Sequence, residues 1–150
     1  MADIEAKIAE LSDKIGTETG VSDWHQITQD QINLFADATG DHQFIHVDVE
    51  AATKLFGSTI AHGFLTLSLL PILSRMPPME GVTRGINYGC NKVRFTNMVP
   101  VDSKVRARTV LKELAAKGGG MQVTSEVTME IEGQDRPAMV AETLTIIYFD

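Results

Sequence analysis

The sequence predicts an α+β domain in which one antiparallel sheet curls around one apolar helix. Three observations carry this: helical spacing governs the first half of the chain, two-residue alternation governs the second, and residues 60–76 are apolar on nearly every side. A solvent-facing helix cannot be apolar all round, so that stretch is predicted to lie buried against the sheet. With 150 residues, 43% of them hydrophobic, the chain suits a single domain over 1–150, of which 1–20 form an N-terminal helix and linker.

Taken in order, Ile4, Ile8, Leu11 and Ile15 recur at helical spacing and predict an amphipathic helix over 3–16 that ends near Gly16. A short extended piece follows at 24–27. Thr28, with Gln31 three positions later, forms a capping-box pattern before Ile32, Phe35 and Ala36, so a second helix runs to about Thr39 and stops at Gly40. Asp48 is a good N-cap for a short helix over 49–55 closed by Gly57, which leaves 41–47 as a loop. In the apolar helix over 60–76, Pro71 removes one backbone donor and should bend the axis, and Pro77-Pro78 ends it.

Downstream the period changes. Residues 86–96 form a strand candidate interrupted by Gly89, 103–113 alternate noisily, and Gly118 to Gly120 make a flexible hairpin connection. Met121, Val123, Ser125, Val127, Met129 and Ile131 then alternate with polar residues, which is a strand with one buried face. A turn at 133–137 leads into a last strand over 138–149. Short turns between consecutive strands make the sheet antiparallel.

Composition excludes several function classes. Acidic side chains outnumber basic ones, 20 to 13, for a net charge of -7, and no run of Lys or Arg offers a polyanion a footprint, so nucleic acid is not an expected partner. The first residues lack the basic region and apolar stretch of a secretory signal, which predicts a cytoplasmic protein. The longest apolar stretch, 64–73, is too short to span a bilayer, so no membrane association is expected. Cys90 is the single cysteine and reads as a small apolar strand residue rather than a disulfide or thiolate metal ligand.

Two short constellations could carry chemistry. Asp41 and His46 stand five apart, with apolar Phe44 and Ile45 between them; such a pair can hold a water between a carboxylate and an imidazole. An Asp after Gly also commonly caps a turn, and a loop His is commonly just solvated. The second constellation is Ile60-Ala61-His62-Gly63, where first-turn N–H groups lack carbonyl partners and Gly63 allows close approach, so a developing oxyanion could be met there. Equally, Gly63 could serve only packing and His62 only a neighbouring carbonyl. His42, His46 and His62 with Asp41 and Asp48 raise the question of a metal, but His42-x-x-x-His46 lacks the Glu of a zincin motif, and no metal is expected.

The stretch Ala38-Thr39-Gly40-Asp41-His42-Gln43-Phe44-Ile45-His46-Val47-Asp48, followed by Phe56-Gly57-Ser58-Thr59-Ile60-Ala61-His62-Gly63, resembles the signature of MaoC-like, hydratase 2 type (R)-specific enoyl-CoA hydratases. Ile86-Asn87-Tyr88-Gly89 with Asn91-Lys92-Val93-Arg94-Phe95 is similar to the single-hot-dog, nodulation-protein-N-like branch. The family usually has Asn-Pro where Gln43 and Phe44 stand, so loop shape and substrate range are open to change.

This resemblance implies a hot-dog fold, an antiparallel sheet wrapped around a long buried central helix. It implies reversible hydration of trans-2-enoyl-CoA to (R)-3-hydroxyacyl-CoA, with Asp41 and His46 as the catalytic pair and the Gly63 N–H meeting the thioester oxygen. His62, Asn87, Tyr88 and Arg94 are candidates for substrate binding, the last three along the acyl or coenzyme channel. No cofactor is implied beyond the coenzyme A of the substrate, and a homodimer is expected. On so acidic a chain any site for coenzyme phosphates must collect its cations locally. A hot-dog thioesterase and a non-catalytic acyl-thioester binding subunit are the alternatives.

Overall fold

A computed structural model of the chain describes residues 3–150; residues 1 and 2, the start of the predicted N-terminal segment, lie outside the described residues. Helix α1 (Ile4–Leu11) is capped by the Asp3 carboxylate, which accepts from the Ala6 N–H, and passes through a 3-10 turn at Ser12–Lys14. Two short strands follow, β1 (Glu18–Val21) and β2 (His25–Gln26). Helix α2 (Gln29–Thr39) begins where the Thr28 hydroxyl accepts from the Gln31 N–H and ends at Gly40, whose φ of 82° is left-handed. Helix α4 (Val49–Phe56) begins at the Asp48 cap and ends at left-handed Gly57. Between them lies one helical turn, α3 (Phe44–Val47), in the segment read from sequence as a loop.

The apolar segment differs from expectation. Residues 60–62 are extended, α5 covers only Gly63–Ser68, and α6 covers Leu70–Leu73 with Pro71 in its first turn. Pro71 has no N–H to give to the preceding turn, so the segment breaks at Leu69 into two short helices. Nor is it buried all round. Leu65, Leu69, Leu70 and Leu73 are buried, whereas Phe64 and Ile72 are 67% and 60% exposed, because the sheet of this chain covers one side only.

Four long strands complete the chain: β3 (Val82–Phe95), β4 (Lys104–Lys117), β5 (Gly120–Ile131) and β6 (Met139–Phe149). All pair antiparallel in the order β1-β4-β5-β6-β3, with β2 beside β4, so β3 is an edge strand. The alternation expected of β5 is present, with Met121, Val123, Val127, Met129 and Ile131 buried. In β4 the alternation changes phase because the register shifts between Leu111 and Glu113; Val105, Ala107, Thr109 and Leu111 point inward before it, Leu114 after it. Strand β1 was not expected, since Glu-Thr-Gly-Val carries no apolar alternation of its own and gains its order by pairing with β4.

Two apolar clusters result. The larger packs α2, α5 and α6 on the concave face of the sheet, with Ile32, Leu65, Leu69 and Leu73 against Val105, Val127, Met129 and Met139. In the smaller, Ile4, Ile8 and Leu11 of α1 cover Leu111, Leu114, Met121 and Ile147. The apolar stripe of the first helix thereby finds its surface. Among the described residues no helix is long and apolar enough to cross a membrane. Cys90 is in a strand as expected but is exposed, because β3 has a neighbour on one side only.

Candidate functional site

The single turn of α3 places His46 beneath the start of α5. The His46 Nδ1–H donates to the Ile60 carbonyl at 2.7 Å, and since a carbonyl can only accept, the hydrogen is fixed on Nδ1 and the lone pair on Nε2 is left available. Its backbone is held too. Gln29 Nε2 donates to the His46 carbonyl at 2.8 Å, and the buried Thr59 hydroxyl donates to Gln29 Oε1, tying the start of α2 to both segments of the site. Burial lowers the pKa of His46 below its ordinary value of 6.5, the bond to Ile60 opposes that, and His62 adds to it. The imidazole is therefore neutral at neutral pH and able to take a proton.

His62 is 2% exposed and stacks on His46, with ring centroids 3.8 Å apart and planes 23° apart, and the Phe35 ring lies tilted against it with its centroid 4.9 Å away. Its Nε2–H donates to the backbone carbonyl of Asp41 at 3.0 Å. Its buried Nδ1 has no hydrogen-bond partner among the described residues. With the bonds from His46 to the Ile60 carbonyl and from the Ile60 N–H to the Ile45 carbonyl, the bond to Asp41 ties the second sequence block to the first. Asp41 itself is exposed, and its carboxylate also accepts from the Gln43 N–H at 3.3 Å, so the turn-capping role and proximity to the imidazoles coexist.

The side-chain ligand atoms of Asp41, His46 and His62 lie within 4.8 Å of one another, a crowding that invites a metal. Ring geometry argues against it. A metal sits in the plane of each imidazole that binds it, about 2.1 Å from the nitrogen, and two rings stacked 3.8 Å apart hold their lone pairs in two nearly parallel planes rather than aiming them at one point. His42 is not part of the cluster, since its Nε2 is bonded to Asp37 at 2.8 Å on the surface.

A cleft of about 410 Å³ opens beside His46. Ile60, Ala61, Val99 and Ala138 give it apolar walls, and Gly63, Thr66 and the segment from Phe95 to Met98 complete them. As the first residue of α5, Gly63 has no carbonyl one turn earlier in the helix to receive its N–H. A Cβ at position 63 would stand 3.0 Å from the Phe95 ring, so the glycine serves packing while also lining the cleft.

Asn87, Tyr88 and Arg94 are not brought there. Asn87, opposite Thr145, and Tyr88, in the register shift before Gly89, lie midway along the β3 edge, with Lys117 Nζ 4.4 Å over the Tyr88 ring; Arg94 donates to its own neighbour's carbonyl at Val93. None of the three lines the cleft, which meets β3 only at its C-terminal end. Conversely, Gln29, Thr59, Thr96, Asn97 and Arg136 take part in the site or its walls and were not singled out from sequence, because single polar residues in caps and turns carry no pattern.

Fold and site together define a hot-dog domain in which one imidazole, His46, lines an apolar cleft, while Asp41 and His62 stand beside that imidazole and do not line the cleft themselves. Among solved structures, the chain is similar to an (R)-hydratase from Pseudomonas aeruginosa in its unliganded form (TM-score 0.73, 21% identity, 91% of this chain and 83% of that one). The (R)-hydratase of A. caviae is also similar (TM-score 0.69, 22% identity, 87% and 94%). At these identities the likeness establishes the fold alone. In sequence, the chain is 51% identical to nodulation protein N of Rhizobium leguminosarum bv. viciae over 151 residues, 97% of this chain and 94% of that protein. It is 54% identical over 140 residues to 3-hydroxyacyl-thioester dehydratase Z of Mycobacterium tuberculosis, covering 91% and 93%. The MaoC like domain matches residues 10–134. The chain belongs to the MaoC-like dehydratase family and is a hydro-lyase.

Proposed function

We propose that this protein is an (R)-specific enoyl-thioester hydratase that reversibly adds water to trans-2-enoyl-CoA to give (R)-3-hydroxyacyl-CoA. The observation that carries the reading is the buried, neutral His46 with its Nδ1–H committed to Ile60 and its Nε2 free, in the same cleft as Gly63. Asp41 and Nε2 of His46 hold the water between them, and the pair takes one of its protons as the oxygen bonds to C3. The C2=C3 electrons move toward the thioester oxygen, where the Gly63 N–H meets the developing charge. The pair then returns a proton to C2, so the elements of one water are added and nothing else is consumed. The reaction needs no cofactor, since coenzyme A travels with the substrate, and the cytoplasmic location expected from the sequence belongs to the same reading.

A homodimer is part of the proposal. Edge strand β3 exposes Val82, Ile86, Tyr88 and Phe95, and Phe64 and Ile72 expose more apolar surface, a combination that favours cover by a second copy. Light scattering on the purified protein reads the mass directly. The functional test is incubation with trans-2-enoyl-CoA esters of several chain lengths, following loss of the conjugated absorbance and the chirality of the product. An (S) product, or release of free thiol in place of hydration, overturns the reading.

A further inference from the structure

Among the described residues, the guanidinium groups are engaged with one exception. Arg75 donates to the Ile72 and Ser74 carbonyls, Arg84 lies over Tyr148, Arg94 donates to the Val93 carbonyl, and Arg106 and Arg108 share Glu130. Arg136 makes no ion pair or side-chain hydrogen bond among the described residues, and it lines the cleft that contains His46 and Gly63. It is the one permanently cationic side chain in that lining, on a chain of net charge -7.

Its backbone is not left loose. Asn97 Nδ2 donates to the Arg136 carbonyl at 3.2 Å and to Gln134 Oε1 at 2.7 Å, and the Thr96 hydroxyl donates to the Pro137 carbonyl. The Thr96 N–H adds a bond to the Ala138 carbonyl at 3.0 Å. The β5–β6 turn is thus fastened to the segment that continues β3 along the cleft wall, with the Arg136 side chain exposed at the opening.

Building on the hydratase reading, we propose that Arg136 is the specificity-determining residue that binds the phosphate of the substrate's pantetheine arm as it leaves the cleft. The acyl end of a thioester suits the apolar walls, whereas the arm must run outward and ends in phosphate on coenzyme A and on an acyl carrier protein alike. A planar guanidinium with no internal partner is matched to that group, and at the solvent edge it meets the ligand without first breaking an ion pair.

The test compares wild type with Arg136→Gln and Arg136→Lys on one acyl chain presented as the enoyl-CoA, enoyl-phosphopantetheine and enoyl-pantetheine thioesters. The expected result is a KM raised about tenfold by Arg136→Gln on the two phosphorylated substrates, kcat within twofold, partial recovery in Arg136→Lys, and no change on the pantetheine ester. The KM difference should shrink as salt is raised. An effect of equal size on both phosphorylated esters supports the assignment to the phosphate that ends the arm, common to both carriers; an effect on the CoA ester alone would place Arg136 at the nucleotide phosphates and overturns that assignment. An unchanged KM on both, an equal change on the pantetheine ester, or dependence on a carboxylate in the acyl chain overturns the proposal. Calorimetric titration with desulfo-CoA, which binds without reacting, separates the two claims. Weaker binding to Arg136→Gln supports phosphate recognition even if wild type hydrates nothing, and equal binding by both proteins removes it even if wild type is active.

Discussion

Two groups of ionisable side chains in this molecule are built in opposite ways. On the face of β4 and β5 away from the core, Glu130 accepts from Arg106 Nε at 2.6 Å and Arg108 Nε at 3.0 Å; Arg108 also reaches Glu18 at 2.8 Å, and Arg106 lies 4.3 Å over Trp24. Every charge in that group is answered by a neighbour. Beside the cleft, Asp41, His46 and His62 crowd together with no Lys or Arg paired to the carboxylate among the described residues, His46 keeps a free Nε2, and His62 keeps a buried Nδ1 with no partner there. A network that satisfies itself stabilises the fold and has nothing left for a ligand. A network with spare lone pairs does less for stability and can do chemistry.

Substitutions should separate the two groups cleanly. The largest effect is expected from His46→Gln and Asp41→Asn, each lowering kcat by roughly 10² to 10⁴ while thermal unfolding stays within a few degrees of wild type. Wild-type-like turnover from either folded variant would remove the pair from the mechanism. His62→Gln comes next: loss of the stacked ring and of the bond to the Asp41 carbonyl should cost about 10- to 100-fold in kcat with KM little changed, because the pair is displaced and not deleted.

Acidification sharpens the contrast. His46 has to be neutral to accept a proton, and its pKa lies below 6.5, so the acid limb of kcat/KM should fall below that value; a limb at or above 6.5 contradicts the burial argument. Linkage gives the same imidazole a stability signature: as pH drops below 6.5, the unfolded chain takes up a proton that buried His46 resists, and the fold loses stability. For Glu130, burial raises the pKa, but the bonds from Arg106 and Arg108 together outweigh it and leave it lowered. Its contribution is present above the ordinary 4.5 and disappears only as pH falls through the lowered folded value.

The smallest effect is expected from Glu130→Gln, about 1 kcal/mol or less in denaturant unfolding because the network is partly solvated, with turnover within twofold of wild type. A loss of activity comparable to that of His62→Gln would mean that the two groups communicate.

Much of this architecture was legible before any coordinates. Thr28, Gly40, Asp48 and Gly57 mark helix ends through dihedral and capping preferences that act within three or four residues, and alternation along β5 reports which face is buried. Residues 60–76 read from sequence as one long buried helix, whereas the structure has two short ones, because hydrophobicity records a need for cover without saying whether this chain supplies it. Half of that need is met by the sheet, and Phe64 and Ile72 are left outward.

For the site, the sequence by itself determined which residues could do chemistry, since Asp41, His46, His62 and Gly63 stand in two short blocks whose types and spacing are readable. Only the tertiary structure decided how they act together. The tautomer of His46 depends on a carbonyl at Ile60, the position of Asp41 on a ring at His62, and the one uncommitted arginine of the cleft on a turn between β5 and β6. Capping and alternation are short-range and therefore appear in neighbouring letters. Hydrogen bonds and charge pairing between distant segments exist only once the sheet has curled and brought those segments together, so no local pattern announces them.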